Sequence, residues 1–399
     1  MEQYYLIAAL WLGLAVISAI IAYHLHIPVS LIEICLGVAI AAIAGWLGKA
    51  DLLGVDLPWL KFLGSAGAIV LTFLAGAELD PLVMRSKIKE VLVIGGIGFS
   101  APFIGCALIA YFLLHWTAQA CLLSGIALAT TSVAVVYTVL LATGLNQTAY
   151  GKGVLGACFI NDMIAVIVLG LLFSPFGYKT LIFIIAAAAV LIFLPLYTKH
   201  LTRVYANHSA AIRTKWLLFI LFGLACLAAW AGSEPVLPAY LVGAMLAGSA
   251  AKDSDWIRRL RTLTIGFLTP FYFLRAGMLV SLPALAVAPL AFFLLLGGKF
   301  LTKILALCPL IGIFRSGRKE KWYQTLMMST GLTFGTISAL YGLNNGIVSQ
   351  AQYSYIVAAI IASAVIPTFV AGFVFLPKRL LPGDASHLQV AEEDIIEEG

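Results

Sequence analysis

Apolar residues run along the chain in long stretches, and short segments that hold most of the charged side chains separate them. About 20 consecutive apolar residues cross a bilayer as an α-helix. In lipid, only helices and closed barrels satisfy every backbone N–H and C=O group, and stretches of this length are helical. The pattern therefore predicts an all-α polytopic membrane protein with thirteen transmembrane helices, at residues 3–23, 29–48, 60–79, 91–114, 118–142, 150–173, 180–198, 214–232, 236–251, 264–282, 287–312, 322–343 and 353–377.

The distribution of basic residues predicts the orientation of these helices. If the N-terminus is outside, 18 of the 24 lysines and arginines fall in loops on the inner side, and only Lys49, Lys61 and Lys179 fall in outer loops. Inner loops of membrane proteins carry an excess of Lys and Arg. We therefore expect an external N-terminus and a cytoplasmic C-terminus.

The composition agrees with a membrane protein. Apolar and aromatic residues make up 62% of the 399 positions and charged residues only 11%, whereas soluble proteins carry about 25% charged residues. This excludes a soluble enzyme, a disordered regulator and a secreted disulfide scaffold. The net charge of +6 is explained by the inner loops, so no nucleic-acid partner is expected. The six cysteines lie in or beside apolar stretches and are interpreted as packing residues.

We expect residues 1–380 to form one transmembrane domain and 381–399 a short acidic cytosolic tail. The N-terminus lacks a basic n-region, so a removable signal peptide is not predicted. An odd number of helices also predicts two inverted six-helix repeats joined by a linker helix. Transporters with this symmetry bind their substrate near the membrane midplane, where helices are broken.

One acidic residue lies at the middle of a predicted span. Asp162 is the only charged residue between Lys152 and Lys179. A charge at the bilayer centre costs about 2.5–3.5 kcal/mol even on the gentlest scale, so such a residue is a functional candidate. A carboxylate must be deprotonated before it can bind a cation, so proton and metal ion compete for it. Asp162 is therefore the predicted ion- and proton-binding residue, the alternative being a structural carboxylate.

Three basic residues also lie within predicted spans. Lys299 is central, and we expect it either to balance the charge of the site or to form a structural ion pair. Lys303 follows one turn later, where its side chain could extend to the membrane surface. Arg275 retains its proton, which favours a structural ion pair, with Glu78 as the candidate partner.

Two predicted spans contain clusters of hydroxyl side chains that disfavour a regular helix. Thr130, Thr131 and Ser132 are adjacent in the fifth span. The twelfth span contains Gly331 and Gly335 together with Ser329, Thr330, Thr333 and Thr336. Such residues can simply bond back to the preceding turn. Because the two clusters occupy corresponding places in the two predicted repeats, we expect broken helices whose hydroxyls and carbonyls bind a cation.

Several of these residues belong to motifs of one family. The motifs are Phe73-Leu74-Ala75-Gly76-Ala77-Glu78-Leu79-Asp80-Pro81, the Thr-Ser-Val-Ala-Val-Val of 131–136, Asn161-Asp162, the Phe-x-x-x-Gly-Met of 273–278 and the membrane lysine Lys299. In these motifs the chain resembles the monovalent cation:proton antiporter superfamily, in its Kef/NapA-like branch. The resemblance implies that Asp162 carries the ion and the proton and that the broken helices cross beside it. It also implies a location in a prokaryotic inner (plasma) membrane.

The resemblance also implies how the protein moves. A core domain, roughly residues 91–173 and 287–377, is expected to move like an elevator against the remaining helices, which form a scaffold and dimerisation domain in a homodimer.

The resemblance leaves the stoichiometry open. Asn161 occupies a position where electrogenic relatives carry Asp, and Asn there is typical of electroneutral exchange, whereas Lys299 is more typical of electrogenic exchange. Kef-type potassium systems also carry a cytosolic nucleotide-binding domain, and twenty or so residues after the last span are too few for one, so we expect no gating of that type.

The resulting hypothesis is a sodium/proton antiporter, with potassium as the alternative ion and no cofactor. Asp162 binds cation and proton in turn, Thr131 and Ser132 supply further oxygens, Asn161 holds the local geometry and Lys299 balances the charge. A symporter for an organic anion is the alternative, and Lys299 or Arg275 would then face the substrate. An intramembrane enzyme is disfavoured, because all six histidines lie at span ends, in loops or in the tail. The ion preference, stoichiometry, activating pH and transport direction stay open.

Overall fold

The computed structural model describes residues 2–25, 28–77, 87–173, 177–204, 209–233, 235–252, 254–315 and 317–380. All regular structure in these ranges is helical. The α-helices are α1 (Glu2–Leu25), α2 (Val29–Trp46), α3 (Pro58–Ala77), α4 (Ile88–Phe112), α5 (Ala118–Ala129), α6 (Val133–Thr143), α7 (Ala149–Phe173), α8 (Tyr178–Val204), α9 (Ser209–Trp230), α10 (Val236–Lys252), α11 (Ser254–Leu263), α12 (Thr269–Met278), α13 (Leu282–Val287), α14 (Pro289–Phe314), α15 (Arg318–Ser329), α16 (Thr333–Asn344) and α17 (Gln350–Val374).

Eleven segments among the described residues are long and apolar enough to cross a membrane, counting α5–α6 and α15–α16 as one segment each. Two of the thirteen predicted spans do not reach that length and composition. The ninth corresponds to α10, whose apolar part is Pro238–Gly248. The tenth contains a π-helical turn at Thr264–Leu268 and the ten-residue α12, and the charged helix α11 directly precedes it. The all-helical architecture is confirmed, and the count of thirteen stays a prediction.

Two close helix crossings depend on glycine. Gly76 of α3 lies against Gly243 of α10, and Gly37 of α2 lies against Gly277 of α12. At each crossing a Cβ atom would collide with the backbone of the opposite helix. Small residues allow membrane helices to approach closely. In an inverted repeat, span 2 would correspond to span 9 and span 3 to span 10. The crossing of α3 with α10 (spans 3 and 9) would then correspond to the crossing of α2 with α12 (spans 2 and 10). The repeat itself stays a prediction.

The buried apolar residues form clusters that divide the helices into two groups. One cluster joins α3, α8, α9, α10 and α11, and another joins α1, α3 and α12. A third joins α4, α6, α7, α14, α15 and α17. The largest cluster lies between the groups and contains residues of both. We call the first group the scaffold and the second, with α5 and α16, the core; the predicted division into a moving core domain and a dimerisation domain stays a prediction.

Candidate functional site

Both helices with clustered hydroxyl residues are interrupted, as the sequence predicts. Helix α5 ends at Ala129 and α6 begins at Val133, while α15 ends at Ser329 and α16 begins at Thr333. The first residue of each interruption is extended, with φ/ψ of −61°/152° at Thr130 and −69°/146° at Thr330. Both threonine hydroxyls donate back to the preceding turn, at 2.9 Å and 2.7 Å. Side-chain bonds of this kind compete with the helical backbone bonds and favour an end to the helix.

The two interruptions cross and bond to each other. The Ser132 N–H donates to the Thr330 carbonyl at 3.2 Å. The Thr131 hydroxyl donates to the Met328 carbonyl at 2.9 Å. Interrupted helices leave carbonyl groups without intrahelical partners, and the crossing satisfies several of them within the membrane. The predicted crossing of the broken helices is therefore observed.

Lys303 of α14 lies inside this crossing. Its ammonium donates to the Met328 carbonyl at 2.5 Å, to the Thr131 hydroxyl at 2.8 Å and, at 3.4 Å, to the Thr130 carbonyl. The side chain is fully buried. The expectation that Lys303 extends to the membrane surface is therefore wrong. The carbonyls at the C-terminal ends of α5 and α15 carry partial negative charge, and they attract the ammonium inward.

Lys299, one turn earlier, approaches the same crossing from α14. Its ammonium donates to the Ser363 hydroxyl at 2.9 Å and, at 3.5 Å, to the Thr130 carbonyl. It lies directly against Gly331, where a Cβ atom would occupy its place. Its hydrogen-bond partners are neutral oxygens, so the described contacts contain no ion pair between Lys299 and a carboxylate.

Asp162 lies on α7 beside the crossing. Its side chain is 2% exposed, and one carboxylate oxygen, Oδ1, has no hydrogen-bond partner among the described residues. The backbone N–H of Thr131 and the ammonium groups of Lys303 and Lys299 lie in the neighbourhood of this carboxylate. The neighbouring Asn161 is fully buried, and neither its amide nitrogen nor its oxygen has a partner within the described structure.

The Asp162 carboxylate lines a cavity of about 250 Å³. Its walls come from both groups of helices. The lining residues from the scaffold are Leu71, Leu74, Ala75, Arg261 and Ile265, and those from the core are Val133, Ala134, Tyr137, Asp162, Thr333 and Phe334. Because Arg261 lies on α11, between the ninth and tenth predicted spans, where the charge distribution predicts the inner side, we call this the inner cavity.

A second cavity of about 160 Å³ lies between α3, α10, α12 and α16. Helices α3 and α16 contribute to both cavities: Leu71 and Phe334 line the inner cavity, and Ile69 and Ile337, a short distance along the same helices, line the second. The buried side chains of Phe334 and Ile337 lie where one cavity ends and the other begins. Of the two cavities, Asp162 lines the inner one and not the second.

Arg275 lines the second cavity, which we call the outer cavity. Its guanidinium donates to the Val55 carbonyl at 3.0 Å and lies 3.9 Å from the carboxylate of Asp56. The predicted partner Glu78 lies outside the described residues, and Asp56 provides the acidic contact instead. Arg275 therefore anchors the α2–α3 loop, a structural role.

The other predicted residues of the second broken helix have different environments. Thr333 lines the inner cavity. Ser329 is buried and donates to the Thr325 carbonyl at 2.8 Å, within its own helix. Sequence reasoning missed Tyr240 of α10, whose hydroxyl donates to the Phe159 carbonyl of α7 at 3.1 Å and links scaffold to core. A tyrosine in an apolar span carries no distinctive signal.

Comparisons with known proteins identify the family. A family model described as sodium/hydrogen exchanger, transmembrane, matches residues 12–377. The chain is 24% identical over 397 residues to the probable Na(+)/H(+) antiporter 3 of Methanocaldococcus jannaschii, covering 95% of this chain and 98% of that one. It is also 24% identical to the Na(+)/H(+) antiporter NhaS4 of a Synechocystis strain, covering 77% and 80%.

Relatives with a potassium-related name also match, including the glutathione-regulated potassium-efflux system protein KefC of Salmonella arizonae, at 24% identity over 74% of this chain and 51% of that one. The solved structure of the sodium proton antiporter MjNhaP1 from Methanocaldococcus jannaschii superposes with a TM-score of 0.69 at 19% identity, covering 94% and 99% of the two chains. The resemblance and the antiporter-like fold expected from the sequence are thus confirmed. The chain belongs to the sodium/hydrogen exchanger family.

Proposed function

We propose that this protein exchanges monovalent cations for protons across the membrane, with Na⁺ as the first candidate ion and K⁺ as the alternative. Asp162 binds the cation and the proton in turn. The observation that supports this most strongly is the buried Asp162 carboxylate, which lines the inner cavity and has one oxygen without a hydrogen-bond partner among the described residues. The names of the relatives, which include sodium and potassium antiporters, point to the same reaction.

The buried groups beside the carboxylate suit a small hard cation. Such ions take oxygen ligands, and Asn161 offers an amide oxygen that no other described group uses. Water in the inner cavity completes the coordination. We therefore assign the direct ligands to Asp162 and Asn161.

The neighbouring hydroxyls position the site. Thr131 Oγ1 donates to the Met328 carbonyl and accepts from the Lys303 ammonium. Ser132 Oγ accepts from the Val135 N–H at 3.3 Å. These bonds hold the crossing of the two interrupted helices. Thr130, Thr131 and Ser132 thus position the Asp162 carboxylate rather than coordinate the ion.

Protonation links the two substrates. A protonated carboxyl group cannot ligate a cation, so the cation must displace the proton from Asp162. With either substrate bound, the net charge at Asp162 is zero. Lys303 and Lys299 counter the negative charge of the empty carboxylate, which reduces the cost of the unloaded site in a low-dielectric region.

We further propose that access alternates by movement of the core against the scaffold. The inner and outer cavities lie between these two groups, and Tyr240 and Phe334 pack between them with ring centroids 5.8 Å apart. An elevator-like shift of the core would close the inner cavity and bring Asp162 to the outer one. The scaffold helices would form the contact in a homodimer within the plasma membrane, with the N-terminus outside.

Proton movement in sealed proteoliposomes tests the proposal. We expect Na⁺, and with lower apparent affinity K⁺, to drive proton movement in the absence of any organic solute. Asp162→Asn should abolish the exchange, because an amide can neither release a proton nor provide a charged ligand. Asp56→Asn, which removes a carboxylate from an exposed loop, is the matched control and should transport normally. Exchange by the Asp162→Asn protein above the rate of empty liposomes would refute the assignment.

A further inference from the structure

Residues 279–288 join α12 of the scaffold to α14 of the core, and we call them the connector. They include the short helix α13, which has no buried residue. Leu274 and Met278 of α12 are buried in a scaffold cluster, whereas Leu307 and Ile311 of α14 are buried in the core cluster. The connector therefore links two groups of helices that the proposed function moves against each other.

Side chains in the first two turns of α17 bind the connector to the core. The Ser281 N–H donates to the Ser354 hydroxyl oxygen at 2.8 Å. The Tyr355 hydroxyl donates to the Ala284 carbonyl at 3.2 Å. Ser354 is fully buried, so its bond is shielded from water. Two hydrogen bonds three residues apart therefore fix the connector to a core helix.

Towards α2 the connector borders cavities instead of bonding. A cavity of about 750 Å³ has Gly45 of α2 and Ala286 of the connector among its lining residues. Another, of about 510 Å³, is lined by Val38 of α2 and by Leu285 of the connector. No hydrogen bond joins the connector to α2 in the part of the chain that the structure describes. The connector can therefore move relative to α2 without losing such a bond.

One bond from α17 reaches the scaffold itself. The Tyr353 hydroxyl donates to the Ala276 carbonyl of α12 at 2.7 Å, and both residues are fully buried. The next residue of α12, Gly277, packs against the backbone of α2 and so stays with the scaffold. The connector is bound to α17 from Ser281 onwards. Any bend between scaffold and connector must therefore fall at residues 278–280, at the end of a helix, where hinges commonly lie.

We infer that residues 278–280 are a hinge of the transport movement and that the connector moves with the core. The bond between Tyr353 and Ala276 is a latch that stabilises the conformation described. Hydrogen bonds between hydroxyl and carbonyl groups extend only to about 3.0 Å, so a shift of the core by several ångströms breaks it. The hinge rests on the proposed function, since it serves the movement of core against scaffold.

Two tyrosine variants test the latch. Tyr353→Phe removes it, and Tyr355→Phe, two positions later on the same helix, removes a bond inside the moving unit and is the matched control. Each is combined with Thr333→Cys in a background without the native cysteines, and labelling by an impermeant maleimide is measured from both sides of sealed vesicles. The ratio of outer to inner labelling should rise about fivefold in Tyr353→Phe, the effect of one net hydrogen bond, and should not change in Tyr355→Phe. Equal ratios in all proteins, or an equal rise in both variants, would overturn the latch.

Reversible cross-links test the hinge in the same background. Ser281→Cys/Ser354→Cys joins the connector to α17, and Gly45→Cys/Ala286→Cys joins it to α2 across the larger cavity. Both pairs are bridged with a bifunctional methanethiosulfonate, and intact-protein mass spectrometry confirms the bridge. The first bridge should leave exchange at the rate of the same protein after reduction, and the second should stop exchange until dithiothreitol is added. Arrest by the first bridge, or unchanged exchange with the second, would show that the connector stays with the scaffold. If no protein exchanges ions even without a bridge, the proposed function fails, while the labelling ratios still decide whether the latch exists.

Discussion

Lys303 donates a hydrogen bond to the hydroxyl of Thr131 at 2.8 Å, although the two residues lie 172 positions apart in the chain. The same ammonium bonds to the Met328 carbonyl, which also accepts the Thr131 hydroxyl. These three groups form a closed set of bonds among α14, the end of α5 and the end of α15. A tethered cation thus holds together two half-helices whose C-terminal ends would otherwise repel each other.

Lys303→Met should therefore destabilise the fold more than Lys299→Met. The first variant leaves the Met328 carbonyl without its charged donor, and a hydrogen bond to a charged group contributes about 1.5–3 kcal/mol. Lys299 has one short bond, to the Ser363 hydroxyl. Thermal unfolding in detergent, followed by tryptophan fluorescence, would rank the variants. Equal or higher stability of Lys303→Met would mean that the desolvation cost of the ammonium exceeds its hydrogen bonds.

The glycine crossing between α3 and α10 supports a second stability prediction. Gly243→Ala places a Cβ atom against the Phe73 carbonyl and 2.9 Å from the Ala77 nitrogen, both of them backbone atoms. Overpacking of this type costs about 1–3 kcal/mol, so the melting temperature should fall. Gly223→Ala in α9 is the matched control, since nothing lies within 4 Å of its Cβ position and alanine favours a helix. Equal melting temperatures for the two variants would argue against a tight α3–α10 crossing.

Much of the site follows from local sequence signals. Long apolar stretches predict the helices, and the clusters at 130–132 and 329–333 predict their interruptions, because hydroxyl side chains and glycine weaken a helix wherever it lies. Asp162 is recognisable because a charge in the middle of a span is costly. These features depend on the residues themselves and on their immediate neighbours.

The partners of the charged residues depend on tertiary packing and could not be predicted in this way. The position of Lys303 along its span would allow the side chain to reach the membrane surface. The carbonyls at the ends of α5 and α15 hold its ammonium inside instead. Arg275 contacts Asp56 because the α2–α3 loop folds back over α12, an arrangement that no sequence signal announces. The link between Tyr240 and Phe159 joins two segments that no sequence pattern relates.

Tyr240→Phe should shift the balance between the two access states. The substitution retains the ring contact with Phe334 and removes the bond to the Phe159 carbonyl, a scaffold–core contact of the conformation described. A net contribution of about 1 kcal/mol corresponds to about a fivefold change in the equilibrium. Thr333→Cys, in a background without the native cysteines, should then react about fivefold faster with an impermeant maleimide applied from the outer side.

Tyr150→Phe provides the control for this experiment. Its hydroxyl donates to the Glu320 carbonyl at 2.8 Å, so the substitution removes the same type of bond inside the core. Outer labelling of Thr333→Cys should not change in this background. Acceleration by Tyr150→Phe alone, or by both substitutions equally, would indicate general loosening of the fold and contradict a specific role for Tyr240.

The exchange should be electroneutral. Asp162 is the only acidic residue among the groups described around the inner cavity, and Asn161 beside it carries no charge. One carboxylate that takes either a proton or a monovalent cation moves one charge in each direction per cycle. The cation gradient at which proton movement reverses should therefore not depend on a membrane potential set by a thiocyanate gradient. Coupling of one net charge would shift that gradient strongly, since 100 mV corresponds to about 2.3 kcal/mol per charge.

Lys299 is the residue that could add such a charge, but its ammonium contacts the neutral oxygens of Ser363 and Thr130. We expect Lys299→Met to leave the reversal gradient unchanged; a potential-dependent reversal that disappears in this variant would instead assign the second proton to Lys299.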